Sequence, residues 1–141
     1  MILEWLTWIK INESSNYSKC AIYRIRICSK GKPEIIQRFL GKDGDGLLCI
    51  GKTTDMERRR KQFVRGLTGV FGHSEANLLH ILETVSPLGV MFKEREYEYS
   101  YARIAKGDED KAEEAEIKAY VKRFGEVPPL NSAIPDRYGD W

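Results

Sequence analysis

The sequence predicts a single mixed α/β domain whose elements run β-β-α-α-β-α, and three patterns carry that expectation. Ala21-Ile22-Tyr23-Arg24-Ile25-Arg26-Ile27 alternates, placing Tyr23, Ile25 and Ile27 on one face and Arg24 and Arg26 on the other, as a half-exposed strand does. The apolar run Leu47-Leu48-Cys49-Ile50-Gly51 stops at a glycine, meets a Thr/Asp cap and passes into a helix opening with three consecutive arginines. Two later stretches, over residues 74–85 and from Asp108 to Phe124, carry apolar residues at helical spacing.

In chain order, Met1 to Lys10 is apolar but broken by Glu4 and Lys10, lacks a basic leader and is too short to span a bilayer. It is expected to be folded, as part of an extension over residues 1–19, with no membrane partner. After the strand at 21–27, residues 33–40 read as a further strand and Gly41-Lys42-Asp43-Gly44-Asp45-Gly46 as a glycine-dense turn into the buried strand 47–51. A helix is expected from about Thr54 to Gly66, then a loop through Gly66, Gly69 and Gly72. A second helix over 74–85 bears Leu78, Leu79, Ile81 and Leu82, and Pro87 and Gly89 end it. Residues 90–104 alternate through Phe92, Tyr97, Tyr99, Tyr101 and Ile104 as a third strand, and Gly125 closes the helix that Asp108 begins.

With 141 residues and 42% hydrophobic content, the chain supplies one core and one domain, 1–141. The net charge of +2 conceals segregation: residues 51–66 hold Lys52, Arg58, Arg59, Arg60, Lys61 and Arg65 against two acids, while 108–116 hold six acids against Lys111. Three cysteines, Cys20, Cys28 and Cys49, are an odd number without metal-ligand spacing, which favours reduced buried thiols and a cytoplasmic location. On a helical projection Met56, Phe63, Val64 and Leu67 form the inward stripe of the arginine helix. Arg59 and Arg60 flank that stripe and Arg58 points away, so the projection leaves two candidates for a cation facing a cleft.

Ala21-Ile22-Tyr23 and Cys49-Ile50-Gly51, an arginine eight residues after that glycine, a glutamate in a later helix and Pro128-Pro129-Leu130-Asn131 together resemble the GIY-YIG nuclease family over residues 20–131. The resemblance lies in the order of the parts, since each short piece alone recurs by chance. It implies a small three-stranded antiparallel sheet flanked by helices, and hydrolysis of DNA phosphodiesters with one divalent ion, Mg²⁺ or Mn²⁺. Carried over position by position, it implies catalytic roles for Tyr23, Arg59, Glu116 as metal ligand, and Asn131. Cys49 stands where the second motif has tyrosine, and Phe63 stands where a histidine often follows the arginine. Lys52 and His73 are candidates to take over either role.

Phosphodiester cleavage needs a nucleophilic water, neutralisation of charge on the nonbridging oxygens and help for the leaving oxygen. A guanidinium suits the second task because it stays charged and matches phosphate in a bidentate manner. Hydrated Mg²⁺ binds through one or two carboxylates plus substrate oxygens, so one glutamate suffices. In the last helix Ile117, Tyr120, Val121 and Phe124 make the apolar stripe, with Glu113 near its centre and Glu114 and Glu116 on its shoulders. The fifteen-residue interval to Asn131 selects Glu116, with Glu113 as runner-up. Tyr23 is expected to position or activate water, with Lys52 as the cation that perturbs it. DNA is expected along Lys52, Arg58, Arg60, Lys61 and Arg65, with the 30–45 excursion either adding contacts or serving as a packing hairpin. The alternative is a DNA-binding or interaction module on the same fold, its catalysis impaired through Cys49.

Overall fold

The computed structural model describes residues 2–84, 95–134 and 141. Among these residues the arrangement is mixed α/β, with antiparallel sheets and three helices. The strands are β1 (Ile9–Lys10), β2 (Ala21–Ser29), β3 (Lys32–Pro33), β4 (Ile36–Arg38), β5 (Gly41–Asp43), β6 (Leu47–Thr53) and β7 (Arg95–Arg103). The helices are α1 (Met56–Leu67), α2 (Ser74–Thr84) and α3 (Glu109–Phe124).

The main sheet has five strands where three were expected. β2 is its centre, pairing with β7 along one edge and with β6 and then β3 along the other, while β1 extends the sheet beyond β7. The two additional strands are short and come from segments outside the alternating runs: β1 from the N-terminal extension and β3 from the excursion after β2. That excursion also departs from the single strand expected over 33–40. Pairing through β3 ends at Pro33, which has no N–H to donate, and the chain then forms a separate β4–β5 hairpin whose second strand occupies the start of the expected glycine turn. The hairpin is tied to the end of α3: Leu40 N–H donates to the Phe124 carbonyl at 2.9 Å, and Arg38 Nη2 donates to the Val127 carbonyl at 2.7 Å.

Period-2 alternation sorts the sheet's side chains into two layers. On one face Tyr23, Ile25, Ile27, Tyr97, Tyr99 and Tyr101 pack with Met56 and Phe63 of α1 and Ala76 and Leu79 of α2. On the other, Ile22, Leu47 and Ile50 pack with Ala112, Ile117, Tyr120 and Phe124 of α3, and Leu3, Trp5 and Trp8 close the side. The extension is therefore part of the fold, held by Leu6 N–H to the Tyr101 carbonyl and Ile11 N–H to the Tyr97 carbonyl, both at 3.0 Å.

Asp55 caps α1, its carboxylate accepting the Arg58 N–H at 3.0 Å, so the helix begins just after the expected Thr54. Gly125, at φ +78°, closes α3 with its N–H on the Val121 carbonyl at 2.7 Å. The expected Val85 end of the second helix, its Pro87 and Gly89 stop and the 90–94 start of the third strand, with Phe92, lie outside the described residues. No helix among the described residues is long and apolar enough to cross a membrane.

Candidate active site

β2 and β6 bring the two motif segments together in register. Tyr23 faces Gly51 directly, and Cys49 faces Ile25 two residues along. Gly51 has no side chain, and the Tyr23 ring fills the space a Cβ would need. The Tyr23 hydroxyl thus reaches the exit of β6, where α1 begins. Met56 and Phe63, two turns apart, anchor α1 in the core, and Arg59 between them lies against the sheet's end. Arg59 Nε donates to the Tyr23 hydroxyl at 3.2 Å, while Nη1 donates to Gln62 Oε1 at 3.0 Å and to the Gly72 carbonyl at 3.3 Å. Its Nη2 has no acceptor among the described residues, leaving that edge of the fork available.

A cleft of about 350 Å³ opens at this point, lined by Tyr23, Gly51, Lys52, Arg59, Glu75, Glu113, Ile117 and Asn131. Burial pushes the Tyr23 hydroxyl well above the ordinary phenol range; neighbouring Cys49 adds to this, and Arg59 only partly offsets it. The phenol is therefore neutral at physiological pH, and the cation on its oxygen is Arg59. Lys52, the expected perturber, instead forms an ion pair with Asp110 while keeping its place on the cleft rim.

The structure places Glu113 in this cleft and Glu116 in a separate cavity, so the glutamate expected from spacing is not brought together with Tyr23 and Arg59. Glu113 and Ile117, one turn apart, face the cleft, whereas Glu116 and Tyr120 line a separate cavity with Arg24. Three residues turn a helix about 60° short of a full circle, and the buried side chain of Tyr120 projects between the two glutamates. Burial raises the Glu113 carboxyl; Lys52 lowers it, and the Asp110 and Glu75 carboxylates raise it further.

Glu75 is the cleft residue that sequence reasoning missed. It sits in the first turn of α2, where an acid reads as a solvated partner of the helix dipole, and no spacing singled it out. His73 Nδ1 lies 3.1 Å from its Oε2. Burial raises the Glu75 carboxyl, but the His73 contact, its own backbone N–H and Ser74 outweigh that and bring it to about 2. His73 itself is buried, set edge-on against Phe63 with ring centroids 4.9 Å apart, and does not line the cleft. Its contact with a cleft residue is the one to Glu75, and it shares a small buried cavity with Tyr23 and Arg59.

Asn131 lines the cleft and spends both ends of its amide on one residue. Its Oδ1 accepts the Ile50 N–H at 3.0 Å and its Nδ2 donates to the Ile50 carbonyl at 2.9 Å, imitating a strand along the outer edge of β6. Both polar ends of the amide are thus engaged with the β6 backbone. Cys49 is buried among Tyr23, Ile25 and Leu48, and burial, its largest influence, pushes the thiol well above its ordinary range.

Among the expected DNA contacts, Arg58, Lys61 and Arg65 lie exposed on the outer face of α1. Arg60 does not join them. It is buried, its Nε and Nη2 bind the two oxygens of Glu57 at 2.9 and 2.6 Å, and Nη1 donates to the Ile11 carbonyl at 2.9 Å. In the 30–45 excursion Arg38 is paired to Glu126 at 3.1 Å, while Lys30, Lys32 and Lys42 are exposed.

A divalent cation would find a sparse donor set here. No group of three or more His, Cys, Asp or Glu is arranged to hold an ion among the described residues, so a cage of protein ligands alone does not fit. A hydrated Mg²⁺ does fit: Glu113 faces the cleft, its charge is opposed by Asp110 and Glu75, and the space admits both water and a phosphate. Comparison of the chain with family models, with curated proteins and with solved structures returns no match.

Proposed function

We propose that this protein is a divalent-metal-dependent endonuclease of the GIY-YIG type, hydrolysing DNA phosphodiester bonds, and that its working site is the β6–α1 cleft. One observation carries the reading: Tyr23, Arg59 and Glu113, far apart along the chain, line one cavity of phosphate-admitting size. The three long strands β2, β6 and β7 with α1, α2 and α3 supply the scaffold that such an enzyme needs.

In this reading Glu113, with Glu75 beside it, holds Mg²⁺ or Mn²⁺. The bound cation supplies charge neutralisation at the phosphate and makes the attacking water more acidic. Arg59 offers its Nη2 edge to a nonbridging oxygen, and its contacts to Gln62 and Gly72 fix the guanidinium so that little reorganisation is needed. Tyr23, neutral and held by Arg59, orients water through its hydroxyl hydrogen. Lys52 on the rim and Arg58, Lys61 and Arg65 on α1 contact the DNA backbone, giving affinity without sequence choice. The buried thiols suit a reducing, cytoplasmic setting.

Nicking of supercoiled plasmid in Mg²⁺ or Mn²⁺ tests the reading. Arg59→Ala and Glu113→Gln are expected to lose about 100-fold or more in rate, the scale of removing a fixed electrostatic partner, with Glu116→Gln close to the parent protein. Unimpaired cleavage by the first two variants rejects the site.

The buried Cys49 favours a second reading, a DNA-binding module without cleavage, because no phenol stands at that position of β6. Duplex binding at low salt with no nicking in either metal would select it.

A further inference from the structure

We propose that the cavity on the opposite face of β2 is a second ligand site, taking a phosphate ester that also carries hydroxyl groups, such as a nucleotide or a sugar phosphate. The inference stands independently of the nuclease reading. The cavity measures about 420 Å³, within the range of small-molecule sites, and its lining includes Trp8, Arg24, Asp45, Glu116, Tyr120 and Arg123.

Two arginines there are stacked on aromatic rings. The Arg24 guanidinium lies over the Trp5 ring at 3.9 Å and beside Trp8 at 4.9 Å, and the Arg123 guanidinium lies over Phe124 at 4.8 Å. Stacking occupies the faces of a guanidinium and leaves its in-plane N–H fork for an oxyanion. Among the described residues neither arginine forms an ion pair or donates a hydrogen bond, and the Arg24 Nε is buried without a partner. A half-buried guanidinium in that condition is costly, since burial lowers its affinity for the proton and Glu116 and Asp45 compensate only at a distance.

The same wall carries Glu116, whose carboxyl is raised by burial and which makes no hydrogen bond among the described residues. A bare anion would meet two arginines and three carboxylates, Asp43, Asp45 and Glu116, with no net attraction, although Asp43 is already bonded by the Tyr120 hydroxyl at 2.9 Å. A phosphate ester with hydroxyls answers both sets, its oxygens accepting from Arg24 and Arg123 and its hydroxyls donating to Glu116 and Asp45. Trp8 and Tyr120 offer aromatic surface to a sugar or a base.

Isothermal titration of the full chain at low ionic strength with inorganic phosphate, AMP and glucose 6-phosphate tests this. The two esters are expected to bind more tightly than inorganic phosphate, and preference between them identifies the source. Arg123→Gln, at an exposed position, and Arg24→Lys, which keeps charge but not the fork, should each weaken binding about tenfold, while Arg59→Ala leaves it unchanged. Circular dichroism verifies folding, and Arg123→Gln carries the test should Arg24→Lys unfold. Absence of binding at millimolar ester, binding indifferent to both arginine variants, or binding lost in Arg59→Ala would overturn the proposal.

Discussion

The ring of Tyr23 lies across the backbone of Gly51, its direct partner on the neighbouring strand, and a Cβ on that glycine would overlap the phenol and stand 2.8 Å from Cε1. The glycine is thus what lets a large aromatic side chain lie flat over a strand and deliver its hydroxyl to Arg59. Gly51→Ala should push the ring off the strand, break the 3.2 Å bond to Arg59 and cost about 1–3 kcal/mol, as overpacking does. Denaturant midpoints measure the cost. A variant as stable as its parent, with the Tyr23 resonance unmoved in NMR spectra, would show that the contact is not required.

Asn131 permits a sharper local test. Replacing it with Ala removes both amide bonds to Ile50 and leaves the outer edge of β6 unpaired at that residue. A loss of about 1–3 kcal/mol follows from leaving part-buried backbone groups without partners. Hydrogen exchange localises the effect: the Ile50 N–H should lose protection, whereas the Arg24 N–H in the β2 ladder should keep it. Equal loss at both amides would mean global destabilisation and no specific brace.

How much of this was legible in the sequence depended on whether periodicity or tertiary contact decided the outcome. Strict alternation marked Tyr23 and Ile25 against Arg24 and Arg26, and the two faces are the two layers of the core. Asp55 and Gly125 marked helix cap and helix end through backbone chemistry that is local, whereas β6 runs two residues past Gly51, to Thr53, because Lys52 and Thr53 still pair with β2. Glu113 against Glu116 was not local. Glu113 sits near the centre of the apolar stripe and Glu116 on its shoulder, and which of them meets the cleft is set by how α3 lies against β6. Arg60 looked like a surface cation because its partners, Glu57 and the Ile11 carbonyl, come partly from an extension with no motif of its own. Glu75 gave no signal because its partner His73 reads as a loop residue.

The outer face of α1 should bring salt dependence to nucleic-acid binding. Arg58, Lys61 and Arg65 are exposed and lack ion-pair partners among the described residues, whereas Arg60 is bound to Glu57. If this face meets duplex DNA, each of the three neutralised in turn to Gln should lower the slope of log binding constant against log salt by about 0.9 for each phosphate the side chain had neutralised. Fluorescence anisotropy across a salt series provides the slopes. Unchanged slopes in all three variants would move the DNA surface off α1.

The Glu57–Arg60 pair predicts how the fold responds to acid. Arg60 is the largest influence on Glu57; burial opposes it, Ser15 assists through its N–H at 2.9 Å and its hydroxyl at 3.0 Å, and the carboxyl falls from an ordinary 4.5 to about 2. Below 4.5 the unfolded chain takes up a proton that the native state refuses until about 2, so the unfolded state binds more protons in that window. The pair's contribution is present above 4.5 and is lost as pH falls towards 2. Glu75, brought to about 2 despite its burial, acts in the same direction. Glu57→Gln should therefore be less stable than the parent at neutral pH and lose less on acidification, the two denaturation midpoints converging near pH 2. Arg60 would also release the Ile11 carbonyl, so exchange at residues 11–15 should quicken in the variant at neutral pH. A Glu57→Gln protein with the parent's full acid dependence would place the responsible carboxylate elsewhere, with Glu75 the next to test.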